Sequence, residues 1–316
     1  MTGETGFLAR ICAIRDEAEG VKSFALERTD GVDWPAWTPG AHVDLALAGG
    51  ICRQYSLYGD PTDGRHLHFA VLREPASRGG SAQLHEQVRA GDPIDVVAVR
   101  NNFPLIDAQR YLFVAGGIGI TPLLGMVRKL QQQGKDWHLL YGGRSRASMA
   151  FLDELAAYGD RVSIRPQDEF GLLDLATFLG KPDAGTVAYC CGPEPLIQAV
   201  EGQCSAWPEE ALQIERFHPR QQEAFVASGP FEVELRKSGK VVTVPADKSI
   251  ADALDDVGVH IPRSCNEGTC GTCITKVLEG IPDHRDSFLR PKQRAQNNRI
   301  MACCSRSLSP RLVLDV

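Results

Sequence analysis

The sequence lacks the marks of several protein classes. No N-terminal stretch joins a basic start, a long apolar run and a small-residue cleavage site, so a secreted precursor is not expected. A membrane-spanning helix needs about 20 apolar residues. The longest candidate, Tyr111 to Val127, is broken by Gly116, Gly117, Gly119, Pro122 and Gly125. Positive charge is not in excess: 34 Lys and Arg stand against 40 Asp and Glu, a net −6 that argues against nucleic acid as a partner. Internal repeats and low-complexity tracts are absent. His42, His66, His68, His85, His138, His218, His260 and His284 fall at no ligand spacing, and none is given a catalytic role. The dinucleotide fingerprint G-x-G-x-x-G is missing as well. What remains is a cytoplasmic protein with reduced thiols and no membrane association.

What is present is a cysteine pattern. Cys265-Asn-Glu-Gly-Thr-Cys270-Gly-Thr-Cys273 spaces three thiols C-x4-C-x2-C, with Cys303 and Cys304 well downstream. That is the ligand spacing of a plant-type [2Fe–2S] cluster, which needs four thiolates converging from one side. Gly268 and Gly271 lie where the wrapping loop needs positive φ, so that backbone amides can point at the sulfurs. Zinc prefers two close C-x2-C pairs, and disulfides need an oxidising compartment. Of the other cysteines, Cys12, Cys52 and Cys204 read as small buried hydrophobes.

The 316 residues suit two or three domains. Residues 1–105 show short alternating segments, such as Ala41 to Leu47, Leu67 to Leu72 and Ile94 to Val99, closed by glycine turns. An antiparallel β-barrel is expected there. Within it, Arg53-Gln-Tyr55-Ser56-Leu57 offers a cation, an aromatic ring and a hydroxyl, and Gly79-Gly80-Ser81 precedes a helical pattern as an N-cap. Residues 106–218 alternate strands with helices, which implies a parallel sheet with ligands at strand C-termini. The strand Arg110–Ala115 runs into Gly116-Gly117-Ile118-Gly119, and Thr121-Pro122 opens an amphipathic helix. Cys191-Gly192-Pro193 ends a later strand, so both turns fall on one sheet edge, and Met149 to Tyr158 reads as a helix. Residues 219–230 form a polar linker candidate. The region 231–316 carries paired strands, a helix from Ser249 loosely boxed by Asp252, and the cysteine loop. From Phe231 onward 13 Lys and Arg face 11 Asp and Glu, so net charge does not identify an electron acceptor.

Taken together these stretches resemble the phthalate dioxygenase reductase and vanillate O-demethylase reductase family, along essentially the whole chain. This is a branch of the ferredoxin–NADP reductase superfamily with a ferredoxin domain of β-grasp type at the C-terminus. The match is carried by Arg53–Leu57, Arg78–Ser81, Asn102–Leu105, Ala115–Pro122, Cys190–Pro193, the cysteine loop and Pro282–Asp286. The resemblance implies FMN, its phosphate held by Arg53, Gly79, Gly80 and Ser81 and its ring contacted by Tyr55 and Ser56 and lined by Ala70, Val71 and Leu72. It implies pyridine nucleotide at Gly116, Gly117, Gly119 and Thr121, with Cys191 and Gly192 near the nicotinamide and Phe217 covering the flavin. It places Cys303, not Cys304, in register as fourth ligand beside Cys265, Cys270 and Cys273. Asp283-His-Arg-Asp286 is expected to brace the ferredoxin fold. Arg144-Ser145-Arg146 departs from the pattern of NADH-using relatives and could clamp a 2′-phosphate, so NADH and NADPH both stay open. The implied activity is electron transfer to a terminal Rieske non-haem oxygenase, or alternatively to a haem-thiolate monooxygenase. A redox sensor on the same fold would be expected to have lost one of the two cofactor stretches, and both are intact.

Overall fold

The computed structural model describes residues 6–77, 79–181, 183–219 and 229–316. Arg78 and most of the expected 219–230 linker lie outside them. The chain divides into two compact units, Met1–Glu215 and Arg216–Val316.

In the first unit, β1 (Phe7–Ala18), β2 (Val21–Arg28), β3 (Ala41–Leu47), β4 (Ile51–Ser56), β5 (Leu67–Leu72) and β6 (Pro93–Asn101) make one antiparallel sheet. Its order is β4-β3-β6-β1-β2-β5, and a bridge between Leu57 and Phe69 joins the two outer strands. That single bridge brings the two ends of the sheet together, in keeping with the expected barrel. Alternation sets its interior: Ile94, Val96 and Ala98 of β6 are buried while Pro93, Asp95 and Val97 are exposed. One expectation fails here. Cys12 is exposed, because it falls on the outward face of β1 with Leu8 and Arg10 while Ala9 and Ile11 point inward.

The helix α1 (Gly80–Glu86) follows β5. Its N-cap is Gly79 at φ 97°, without a side-chain cap. The hydroxyl that closes this turn belongs to Ser77, which accepts from the Gly79 and Ala82 amides at 3.2 and 3.3 Å and from Ser81 Oγ at 2.9 Å.

The same unit then alternates β7 (Arg110–Gly116), α2 (Thr121–Gln132), β8 (Asp136–Gly143), α3 (Leu152–Ala156), β9 (Val162–Pro166), α4 (Gln167–Phe170), α5 (Leu175–Leu179), β10 (Thr186–Cys191), α6 (Glu194–Gln203) and β11 (Leu212–Glu215). The five strands are parallel in the order β11-β10-β7-β8-β9. The chain winds outward from β7 in one direction and then returns to start again at β10. The switch point falls between β7 and β10, where doubly wound sheets bind their ligands. Helix α2 buries Leu123, Leu124, Met126, Val127 and Leu130, a stripe at helical spacing. Helix α3 is shorter than the expected Met149–Tyr158, since Phe151 sits at φ 64° and cannot belong to a right-handed helix.

The second unit holds β12 (Phe231–Leu235), β13 (Val241–Val244), α7 (Ile250–Asp255), β14 (Ile274–Glu279), β15 (Pro282–Asp283), α8 (Pro291–Ala295), β16 (Arg299–Met301), β17 (Arg306–Ser307) and β18 (Arg311–Leu314). Its main sheet runs β13-β12-β18-β14-β16, with β12 and β18 parallel, and β15 pairs β17. Ile250, Ala251, Ala253 and Leu254 of α7 share one core with Val233, Val244, Ile300 and Leu312. Ser249 caps α7 by accepting the Asp252 amide at 3.1 Å. No helix among the described residues is long and apolar enough to cross a membrane.

Candidate functional site

The cysteine loop occupies the stretch between α7 and β14. Cys270, Cys273 and Cys303 are buried and Cys265 is half-buried. The thiols interact as a string: Cys265 with Cys270 and Cys303, and Cys303 with Cys273 and Cys304. Hydrogen bonds from these neighbours hold Cys265 and Cys273 below the usual thiol range. Backbone amides do aim at sulfur, Glu267 N–H to Cys265 Sγ at 3.3 Å and Thr272 N–H to Cys270 Sγ at 3.5 Å. Such amides stabilise thiolates and tune a cluster bound by them.

The loop glycines are doubly required. Gly268 and Gly271 adopt φ of 71° and 75°. A Cβ on Gly268 would lie 2.5 Å from Cys304 Sγ and 2.9 Å from Asp286 Cα; one on Gly271 would lie 2.4 Å from Phe288 Cζ. Asn266 also takes a left-handed φ of 57°, which its short polar side chain tolerates. Asp286 braces the loop from behind, as the sequence suggests. It is fully buried, Ser287 N–H donates to the Gly268 carbonyl at 2.9 Å, and Asp286 Oδ2 accepts from Leu289 N–H at 3.3 Å. Three thiols on a loop that only glycine can wrap, two of them receiving amides, and Cys303 arriving from beyond β16 fit a [2Fe–2S] cluster.

In the barrel, Arg53 lies over the start of α1. A Cβ at Gly80 would fall 2.6 Å from Arg53 Cγ and 3.2 Å from its Nε, and one at Gly79 would meet Ile51 at 2.6 Å. The paired glycines thus let a guanidinium approach the helix start closely, a cradle suited to a phosphate monoester. Tyr55 stacks on Phe69 at 5.3 Å, and burial raises its phenol above the ordinary range, so it stays neutral. Ala70 and Val71 are buried on β5 and Leu72 is half-buried. His85 Nε2 meets the Val71 carbonyl at 2.8 Å and ties α1 to that strand.

The glycines at the β7 and β10 ends divide by role. A Cβ on Gly119 would lie 2.3 Å from the Cys191 carbonyl oxygen, and one on Gly192 would lie 3.0 Å from the Gly116 backbone. A Cβ on Gly116 would meet Pro193 and Leu196 at 2.7 Å. Gly119 and Gly192 let the two strand-end turns pack backbone against backbone, and Gly116 leaves room for the Pro193 and Leu196 side chains. Gly117, at φ 53°, faces open space and leaves room beside the switch point. Thr121 is buried, and its hydroxyl donates to the Ile118 carbonyl at 2.9 Å, which closes the turn.

Sequence reasoning gave no role to Glu215, the last residue of β11. Ser56 Oγ donates to Glu215 Oε2 at 3.2 Å across 159 positions of sequence, and Cys191 lies beside Glu215 in the parallel register. Desolvation pushes the Glu215 carboxyl up to about 8, with the Ser56 hydrogen bond opposing. Desolvation, with Glu215 and Cys190 nearby, also raises Cys191 well above the usual thiol range, so its thiol is neutral. The only sequence signal was the acidic residue itself, two positions before Phe217. Phe217 is half-buried and belongs to the second unit.

Glu215 makes stability depend on pH. Its folded carboxyl binds a proton more tightly than an unfolded one, so the contribution is complete below about pH 4.5 and is lost as pH rises through about 8. Glu215→Gln is therefore expected to be more stable than the wild type at pH 8.5 than at pH 5, by on the order of 2 kcal/mol in the difference. Urea unfolding of both proteins at the two pH values reads this. Parallel pH curves would show that Glu215 is not desolvated.

At the end of β8, Ser145 Oγ and Ser148 Oγ lie 3.3 Å apart in a reciprocal cap. Arg146 Nε and Nη2 donate to Glu169 at 3.1 and 3.0 Å. The Arg144 carbonyl accepts the Asp168 amide at 3.2 Å. The structure thus brings the Arg144–Arg146 turn against α4, a neighbour that the sequence did not reveal.

Comparison with known proteins follows the same division. Residues 233–308 match the family model of a 2Fe-2S iron-sulfur cluster binding domain, and residues 113–202 match that of an oxidoreductase NAD-binding domain. The chain is 43% identical over 309 residues to phenoxybenzoate dioxygenase subunit beta of Ectopseudomonas oleovorans, covering 97% of this chain and 96% of that protein. It is 39% identical over 315 residues to vanillate O-demethylase oxidoreductase of Pseudomonas sp. strain HR199, covering 97% and 98%. The solved structure of phthalate dioxygenase reductase superposes with a TM-score of 0.72 at 34% identity over 98% of each chain. An intact type IV self-sufficient cytochrome P450 monooxygenase superposes with a TM-score of 0.90 at 38% identity; the match covers 98% of this chain and 41% of the P450 chain. The chain belongs to the phthalate dioxygenase reductase and vanillate O-demethylase reductase family, the FMN- and [2Fe–2S]-dependent oxidoreductase components of oxygenase systems.

Proposed function

We propose that this chain draws electrons from a reduced pyridine nucleotide and delivers them to a terminal oxygenase of the Rieske non-haem iron type. The observation that carries the reading is the amide-supported string of Cys265, Cys270, Cys273 and Cys303 in a chain that also holds a doubly wound sheet with glycine turns at its switch point. When bound, FMN accepts hydride as an electron pair and the cluster carries electrons singly, which joins a two-electron donor to a one-electron acceptor.

The residues divide that work. Arg53, Gly79, Gly80 and Ser81 hold the FMN phosphate, and Tyr55 and Ser56 with the Ala70–Leu72 strand orient its ring. Gly116, Gly117, Gly119 and Thr121 shape the nicotinamide edge, and Cys191-Gly192 floors it. The neutral Cys191 thiol and a largely protonated Glu215 leave no fixed negative charge where hydride must be transferred, and Glu215 holds the Ser56 hydroxyl in place. Cys265, Cys270, Cys273 and Cys303 ligate the cluster.

Relatives matched over nearly their whole length are named for dioxygenase and O-demethylase systems, which supports the Rieske partner. A haem-thiolate partner is the second reading, supported by the P450 superposition.

The test is an anaerobic titration with NADH and then NADPH under absorption spectroscopy, followed by oxygen uptake with a purified Rieske oxygenase or a P450. The expected protein is brown, its flavin and iron–sulfur bands bleach together, and the Rieske oxygenase turns over. Flavin bleaching with absent or unresponsive cluster bands would sink the electron-transfer reading. Turnover with the P450 alone would replace the partner.

A further inference from the structure

The ion pair at the end of β8 has no part in hydride transfer. Arg146 meets Glu169 fork to fork, at 3.1 and 3.0 Å, and both side chains remain about half exposed at 53% and 43%. The amide bond from Asp168 to the Arg144 carbonyl fixes α4 against this turn. The position is informative. Strand β8 neighbours β7 on the side away from the switch point. In doubly wound sheets the end of that strand reads the adenosine ribose. An acid there accepts the 2′-hydroxyl of NAD, whereas an arginine accommodates the 2′-phosphate of NADP. This chain has both, bound to each other.

We propose that Glu169 is a specificity-determining residue that turns the chain toward NADH. Its carboxylate takes the Nε–Nη2 edge of Arg146 and sets negative charge beside the guanidinium that a 2′-phosphate would use. A 2′-phosphate must either displace the carboxylate from that edge or take the Nη1 side with the Glu169 charge next to it. Solvent screens each contribution, so the discrimination is moderate. Exposed pairs contribute little to folding, so neutralising Glu169 leaves the turn intact and releases Arg146 for a bidentate phosphate contact. The inference rests on the nucleotide-dependent function proposed above.

The experiment uses the full chain with its cofactors. Binding of 5′-AMP and of 2′,5′-ADP is measured by calorimetry, and kcat/KM for NADH and NADPH with ferricyanide as acceptor. The wild type is expected to favour NADH. Glu169→Gln should tighten 2′,5′-ADP binding relative to 5′-AMP and raise the ratio of kcat/KM for NADPH over that for NADH about tenfold. Arg146→Met added to Glu169→Gln should abolish the gain. A wild type that prefers NADPH, an unchanged ratio in Glu169→Gln, or a gain that survives loss of Arg146 would each overturn the proposal. If neither nucleotide reduced the flavin, the electron-transfer reading would fall, and binding of the two adenosine fragments would still decide what Glu169 does.

Discussion

Serine in place of Cys265 or Cys303 is expected to strip the iron–sulfur bands from the purified protein. Electron delivery to cytochrome c, a one-electron acceptor, should fall by roughly two orders of magnitude or more. Flavin reduction by the nucleotide, read with ferricyanide, should persist. The physical reason is ligand softness: iron–sulfide clusters are held by thiolates, and a serine hydroxyl is harder and far less acidic. The structure adds a control. Cys304 packs against Gly268 and ends the string, where it touches Cys303. Cys304→Ser should therefore keep the bands, with at most a shift in cluster potential. A Cys303→Ser protein that remained brown and competent would move the fourth ligand to Cys304 and refute the assignment.

Alanine at Gly119 should be the most damaging single methyl in the nucleotide site. Its Cβ would stand 2.3 Å from the Cys191 carbonyl oxygen and 2.7 Å from the Gly192 amide nitrogen. Both obstacles are backbone atoms, so no rotamer change relieves them. Ordinary overpacking costs about 1–3 kcal/mol, and here the two strand ends must separate at the edge proposed to take the nicotinamide. A misplacement of about 1 Å can cost on the order of 100-fold, and a loss of that size in kcat/KM for the nucleotide is expected. Gly117→Ala is the informative comparison. Its methyl meets no protein atom, and only the left-handed φ of 53° is strained, so the fold should lose on the order of 1 kcal/mol. Equal stability losses in thermal unfolding of the two variants would show that the turn is not packed as described.

Much of this was legible in the residues. The C-x4-C-x2-C spacing with Gly268 and Gly271 implied a glycine-wrapped thiolate loop before any coordinates, because cluster ligation constrains local sequence tightly. Alternation along Ala41–Leu47 and the strand–glycine–helix run at Arg110–Pro122 signalled two architectures, since side-chain period follows secondary structure. Local signals misled where neighbours decide. Cys12 read as a buried thiol, yet it alternates outward with Leu8 and Arg10 along β1. Ser81 looked like a cap, yet Ser77 does the capping. The left-handed Phe151 delays α3, and nothing in the apolar run Met149-Ala-Phe-Leu announced it.

Long-range pairings were invisible for a simple reason. Ser56 and Glu215 meet only because the closed barrel and the end of β11 converge, and the raised carboxyl pKa is a product of that burial. Likewise Arg146 read as a phosphate clamp in sequence, and only the return of the chain through β9 to α4 brings Glu169 onto its guanidinium. Sequence by itself determined which chemical groups this protein carries and the local loops that present them. Tertiary structure decided which charges those groups face, because desolvation and pairing depend on segments far apart in the chain.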